Sequence, residues 1–240
     1  MTAAAPHSAT SSLSLSLAFG AGESVSALLV APAAPSAVFA LAHGAGAGMT
    51  HPFMERLAQG LAERGIATLR YQFAYMERGS KRPDPPALAH AVVRAAVAEA
   101  GRQLPGLPLV AGGKSFGARM SSQAQALAPL PGVRGLVFVG FPLHPAGKPA
   151  IERAEHLDQV QIPMLFLQGT RDELAGLDLV RAVQSRLGAR ATLEIFDDAD
   201  HSFHVRASSG SNHAQVMTRL LDSVAAWVAT CAARPPLIGP

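Results

Sequence analysis

The sequence predicts an α/β protein whose sheet is mostly parallel and covered by helices on both faces. Three observations predict it. Apolar runs of strand length alternate with segments of helical periodicity along most of the chain. An early series of strand-like runs has no helix between its members, which reads as an antiparallel entrance to the sheet. The 240 residues are 49% apolar and 15% charged, a balance that suits one compact soluble domain with a continuous core and not a disordered chain.

Taken in order, residues 1–11 read as a loose tail and 235–240, with Pro235 and Pro236, as a loose end, leaving 12–234 as a single domain. Leu13, Leu15, Leu17 and Phe19 alternate with Ser14, Ser16 and Ala18, and that period of two marks a strand over 13–19. Further strands are expected over 26–30, 37–42, 67–73, 109–112, 135–139, 164–168 and 192–196. Helices fill the gaps. Pro52 suits an opening turn, Phe53, Leu57 and Leu61 recur every four residues, and Gly65 ends that helix. Pro86 opens an alanine-rich helix to about 104, and a third helix runs from 115 to about 127. A fourth covers 177–187 and stops at Gly188. The closing helix over 211–232 places Val216, Leu220, Val224 and Val228 on one stripe. In sheets of this kind the ligand site lies at the carboxyl ends of the strands. Any candidate functional residue should therefore sit just after a strand.

Several function classes are excluded. A net charge of +3 with no block of like charges gives no nucleic-acid surface. The lone Cys231 excludes an internal disulfide framework and a thiolate metal cluster, and in its apolar helix it reads as packing. The opening M-T-A-A-A-P-H-S-A-T-S-S lacks the basic residues of a secretory signal. No apolar run approaches the roughly 18 residues of a membrane span, so the expected location is the cytoplasm, with no membrane partner. His43 and His51 are loop residues without ligand spacing, and no metal or cofactor is expected.

The run G-G-K-S-F-G-A-R-M, Gly112 to Met120, follows the strand at 109–112 and opens a helix. Gly113-Lys114-Ser115-Phe116-Gly117 fits G-x-S-x-G, in which a serine in a strained turn stands above the sheet and small neighbours admit close backbone. The helix that starts there offers free N–H groups to developing negative charge. A phosphate-binding loop would need a glycine five residues before Gly113, and Pro108 stands there. A serine nucleophile needs a base, and in this topology the order is serine, acid, histidine. Asp172, in Q-G-T-R-D-E-L, follows the strand at 164–168, and His201, in D-D-A-D-H-S-F-H, follows the strand at 192–196. Glu173 points the other way if that segment is extended, and His204 follows its strand with more slack, so Asp172 and His201 are preferred. Asp197, Asp198 and Asp200 read as turn and capping residues. An oxyanion hole needs two backbone donors. Phe116 N–H is one, and the glycine-rich loop His43-Gly44-Ala45-Gly46-Ala47-Gly48 supplies the other, from Ala45 with Gly46 as runner-up. That loop lacks the G-x-G-x-x-G spacing of a dinucleotide site, and His43 reads as a loop-shaping residue.

The loop L-A-H-G-A-G-A-G-M, the elbow G-G-K-S-F-G-A-R-M, the segment F-P-L-H-P-A-G-K-P and the ending D-A-D-H-S-F resemble the small α/β-hydrolase-fold proteins near the dienelactone-hydrolase branch. More narrowly, they resemble the family that includes the testis-expressed hydrolase-like proteins. The resemblance covers roughly residues 20–230. It implies an eight-stranded α/β-hydrolase sheet with Ser115, Asp172 and His201 as a triad. Dienelactone hydrolases proper carry cysteine at the elbow, and Ser115 argues against lactone hydrolysis of their kind.

The stretch from Phe141 to Pro149 and on to Met164 is too short for a lid domain, which leaves an open site suited to small or exposed acyl groups. Lys81, Lys114 and Lys148 all follow predicted strands and, with Arg82 and Arg119, are candidate contacts for an anionic group. Met49, Phe53, Tyr75, Phe141 and Phe203 are candidate pocket residues. The expected function is a serine hydrolase, a carboxylesterase or thioesterase acting on a small-molecule ester through an acyl-enzyme. The alternative is a catalytically silent interaction module that keeps the fold, with a peptidase ranked below both.

Overall fold

The computed structural model describes residues 10–20 and 22–233. Residues 234–240 and most of the expected N-terminal tail lie outside the described residues. Thr10 and Ser11, expected in that tail, instead begin the first strand, because their backbone pairs with Pro32 and Ala31.

The chain runs β1 (Thr10–Ala18), β2 (Ser24–Pro32), β3 (Ala37–Ala42), α1 (Pro52–Ala62), β4 (Ile66–Tyr71), α2 (Ala74–Glu77), α3 (Pro86–Gln103), β5 (Leu109–Lys114), α4 (Phe116–Leu127), β6 (Val133–Val139), β7 (Met164–Gly169), α5 (Leu177–Leu187), β8 (Ala191–Phe196) and α6 (His213–Ala232). The eight-stranded sheet has the order β1-β2-β4-β3-β5-β6-β7-β8. β1 with β2 and β2 with β4 are antiparallel, and every later pairing is parallel. This is the α/β-hydrolase fold. The crossover of β3 between β4 and β5 is the switch in strand order beside which such sheets place their sites.

Alternation along the strands divides the core in two. Val38, Ala40 and Ala42 of β3 face one side, where Val92 and Ala96 of α3 and Ala118 and Ala124 of α4 cover them. Phe39 and Leu41 face the other, under Leu57 and Leu61 of α1 and Leu220 and Val224 of α6. Close packing explains the small residues: a Cβ on Gly135 of β6 would stand 2.5 Å from the Trp227 ring. α6 starts later than expected, at His213, because Asn212 and Gln215 form a reciprocal capping box with each other's backbone.

β4 was expected to continue to Phe73. It stops at Tyr71, because the Phe73 N–H bonds His43 Nε2 at 3.0 Å in place of a neighbouring strand, and the chain turns into the short α2. Between β6 and β7 the chain makes only a 3-10 helix over Glu152–Gln159. No helix among the described residues is long and apolar enough to cross a membrane.

Candidate active site

β5 delivers Ser115 to the end of the sheet in a conformation ordinary side chains avoid. Ser115 has φ 49° and ψ −108° and caps α4. The strand can approach so closely because it lacks side chains: a Cβ on Gly113, at φ 149°, would lie 2.1 Å from Ala42 O. One on Gly117 would lie 2.7 Å from His43 O. The elbow is thus wedged against the start of the β3–α1 loop.

Asp172 lies in the turn after β7 and His201 in the turn after β8. The structure brings both to Ser115: Ser115 Oγ stands 2.8 Å from His201 Nε2, and His201 Nδ1 stands 2.7 Å from Asp172 Oδ2. The Asp172 side chain is fully buried, and its other oxygen accepts from Leu174 N at 2.8 Å. With the carboxylate as acceptor, the imidazole proton sits on Nδ1 and Nε2 is left to accept from Ser115. Glu173 is exposed and outside this line. His204 is also outside it, near Asp200 and with its ring tilted against that of His213. Asp200 accepts the Ser202 and His204 N–H groups and Asp198 pairs with Arg206, which are turn-forming roles.

Sequence reasoning missed Gln168. It is fully buried at the end of β7, donates from Nε2 to Asp172 Oδ2 at 2.5 Å and accepts Phe141 N at 3.2 Å. The available signal was an amide closing the otherwise apolar strand M-L-F-L-Q-G.

The glycine-rich loop is held at both ends. His43 Nδ1–H donates to Gly44 O at 2.7 Å while Nε2 accepts from Phe73 N. Burial lowers the His43 pKa to about 4, so the ring is neutral and structural. Gly44 O accepts Ala47 N at 3.4 Å and Gly46 has φ 75°, a tight turn with Ala45 and Gly46 at its corners. Gly46 N–H is committed to the Tyr75 hydroxyl at 3.2 Å. Tyr75 is itself fixed by its own N–H, which donates to Asp84 at 2.8 Å. Among the described residues, the Ala45 and Phe116 N–H groups have no such partner.

These elements enclose a cavity of about 460 Å³ lined by Ala45, Ala47, Phe53, Met54 and Leu174 together with Lys114, Ser115, His201 and His204. A larger, open depression of about 710 Å³ lies on the far side of Asp172, against His144, Glu173 and Leu179, and does not reach Ser115. Chemistry at the serine belongs to the smaller space.

Several expected contacts are corrected. Phe141 does not line the cavity, because its ring is buried against Phe138 and Phe166. Met49 is buried beside the loop, where its backbone bonds Gln72 and Arg70, and Met54 takes its expected place. Tyr75 and Phe203 are fully buried, with Phe203 stacked behind Phe53. The expected cationic rim does not assemble. Lys81, Arg82 and Lys148 are exposed elsewhere and Arg119 lies on α4 beside Arg153 and His156, while Lys114 does line the cavity but places its ammonium on His201 O. Among the described residues no group of three metal-ligating side chains is present.

A second serine–histidine contact lies on α4, where Ser122 Oγ meets His156 Nε2 at 2.8 Å and also donates to Arg119 O at 2.9 Å.

A family model described as an alpha/beta hydrolase domain matches residues 35–229. Among solved structures, the chain is similar to a dienelactone hydrolase from Anabaena variabilis, at 19% identity and TM-score 0.73 over 92% of this chain and 98% of that one. It is also similar to an alpha-beta serine hydrolase homologue from Coxiella burnetii, at 20% identity and TM-score 0.71 over 89% and 96%. A Xanthomonas campestris protein described as a serine hydrolase without lid matches at 22% identity and TM-score 0.66 over the whole of both chains.

Proposed function

We propose, from the premise that the chain belongs to the alpha/beta hydrolase domain family, that it is a serine hydrolase cleaving small acyl esters or thioesters through an acyl-enzyme. The observation that carries this reading is the unbroken hydrogen-bond line from Ser115 through His201 to Asp172, opening into a cavity that Ala45 lines, with the Phe116 N–H next in the chain to the serine.

The chemistry follows from the geometry. Ser115 Oγ attacks the acyl carbon as His201 Nε2 takes its proton, and Asp172 steadies the imidazolium through Nδ1. The oxyanion falls to the Phe116 N–H at the head of α4 and the Ala45 N–H. Ala45 is favoured over Gly46 because the Gly46 donor is already occupied by Tyr75. Two such donors, fixed beforehand, contribute about 10²–10³ in rate each. His201 then returns its proton to the leaving oxygen or sulfur, and water repeats the sequence on the acyl-enzyme. The apolar wall of Ala47, Phe53, Met54 and Leu174 suits a short acyl group, and no charged side chain among the described residues lies free in the cavity to bind an ionic one.

The serine hydrolases named among the similar structures and the elbow motif support the reading. The narrower kinship with the testis-expressed hydrolase-like family, carried by the loop and elbow motifs, is part of the same proposal. The test is labelling by a fluorophosphonate and turnover of short p-nitrophenyl esters, beside Ser115→Ala. Both signals are expected and both should vanish in the variant. Well-folded protein that takes no label would overturn the reading in favour of an interaction module.

A further inference from the structure

We propose that Lys114 is a positioning residue for this hydrolytic reaction: its buried ammonium fastens the backbone of His201 and so keeps the imidazole in line between Ser115 and Asp172. The inference rests on the serine-hydrolase reading, and it gives Lys114 a role other than substrate contact.

The geometry is specific. Lys114 is the last residue of β5, next to the nucleophile, and its side chain crosses the end of the sheet to donate from Nζ to His201 O at 2.6 Å. One residue thereby ties the turn that carries the base to the strand that carries the serine. Around the ammonium, the β7–α5 turn presents Asp172 and the β8–α6 turn presents Asp200 and the His201 ring. The Phe203 ring lies 5.9 Å away. From β6, Gly140 leaves the space open, since a Cβ there would stand 3.0 Å from Nζ and 3.4 Å from His201 Nδ1. From the β3–α1 loop, Gly44 admits the aliphatic stem in the same way, with a Cβ there only 3.4 Å from Lys114 Cγ. Two glycines on different loops therefore make room for one lysine.

The position has a pH signature. Burial lowers the Lys114 pKa from 10.5 to about 8, against the opposing pull of Asp172 and Asp200. Between those values the unfolded chain binds more protons than the folded one, so this group makes stability rise with pH across the window. The neutral amine grips His201 O less strongly than the ammonium did. Across one pH range, activity should fall while the fold becomes no less stable.

The experiment compares wild type, Lys114→Met and Ser115→Ala. It reads kcat and KM on a p-nitrophenyl ester from about pH 6 to about pH 10, fluorophosphonate labelling, and amide exchange in the segment 197–206. The expected result is an alkaline fall in wild-type kcat centred near pH 8 with no loss of fold. Lys114→Met should show kcat about 10–100-fold lower with KM little changed, no alkaline fall, and faster exchange in the segment. A folded Lys114→Met with wild-type kcat, alkaline fall and exchange overturns the inference while labelling of wild type leaves the hydrolase reading intact. Failure of wild type to label overturns the hydrolase reading instead, and amide exchange then decides whether Lys114 holds the turn. If Lys114→Met does not fold, the wild-type protein alone decides: a flat kcat across pH 8, or exchange in the segment that does not rise with loss of the charge, overturns the inference.

Discussion

Ser115 at the head of α4 and Ser122 within it each hold a histidine Nε2 at 2.8 Å, yet the two pairs are built for different ends. Behind His201 stands a buried carboxylate at 2.7 Å, while no carboxylate among the described residues bonds His156. Ser115 sits on strained backbone facing a cavity. Ser122 sits in regular helix, fully buried, with its hydroxyl proton committed to Arg119 O, so His156 acts as the donor in that pair. Burial and the nearby Arg119 and His90 push the His156 pKa down to about 4. A serine–histidine contact is therefore not in itself a catalytic device. What makes one is the acid that fixes the tautomer, the backbone that exposes the oxygen and the space in front of it.

The largest break in that comparison comes from the hydroxyls themselves. Ser115→Ala should lower ester turnover by about 10⁵–10⁶, whereas Ser122→Ala should stay within about threefold of wild type. Loss of turnover in a folded Ser122→Ala would show that the two pairs had been assigned the wrong way round. Next is the acid. Asp172→Asn keeps the shape but admits the wrong tautomer and should cost about 10⁴ in kcat, with circular dichroism unchanged. A variant retaining more than a tenth of wild-type kcat would mean that the carboxylate does not orient His201.

Gln168→Leu should act more mildly. It removes one donor from Asp172 and leaves Phe141 N–H buried without an acceptor, lowering kcat about tenfold and stability by about 1–3 kcal/mol in urea titrations. Stability lost with kcat intact would make Gln168 a mere structural tie. The smallest effect concerns the second pair. The folded state binds the His156 proton less readily than the unfolded chain, so stability contributed by this group is present above about pH 6.5 and lost as pH falls toward 4. His156→Gln should soften that acid loss by roughly 1 kcal/mol and leave turnover at neutral pH alone. An unchanged acid midpoint would show that His156 is not a source of the sensitivity.

Much of this was legible in the residue order. Strand ends carry the serine, the acid and the histidine, and two periodicities locate those ends, so the line Ser115–His201–Asp172 needed only correct strand placement. Side-chain destinations beyond the last paired residue were not legible. Whether Lys114 reaches out to a substrate or across to His201 depends on two glycines, Gly44 and Gly140, brought from distant parts of the chain. Phe141 looked like pocket because it follows β6, but the turn sends it under the sheet against Phe138. The end of β4 was placed two residues late, because nothing local reveals that His43 will claim the Phe73 N–H. The short α2 and the 3-10 helix over Glu152–Gln159 carry too few residues for a period to emerge.

His43 gives the molecule a safety catch. Its ring spans two strand ends as donor on one side and acceptor on the other, an arrangement only the uncharged form can satisfy. A second proton would set two donors face to face at Phe73 and break the tie between the glycine-rich loop and the end of β4. Acid therefore strikes at the hinge between scaffold and site: the stability that depends on the uncharged ring is present above about pH 6.5 and lost as pH falls toward 4.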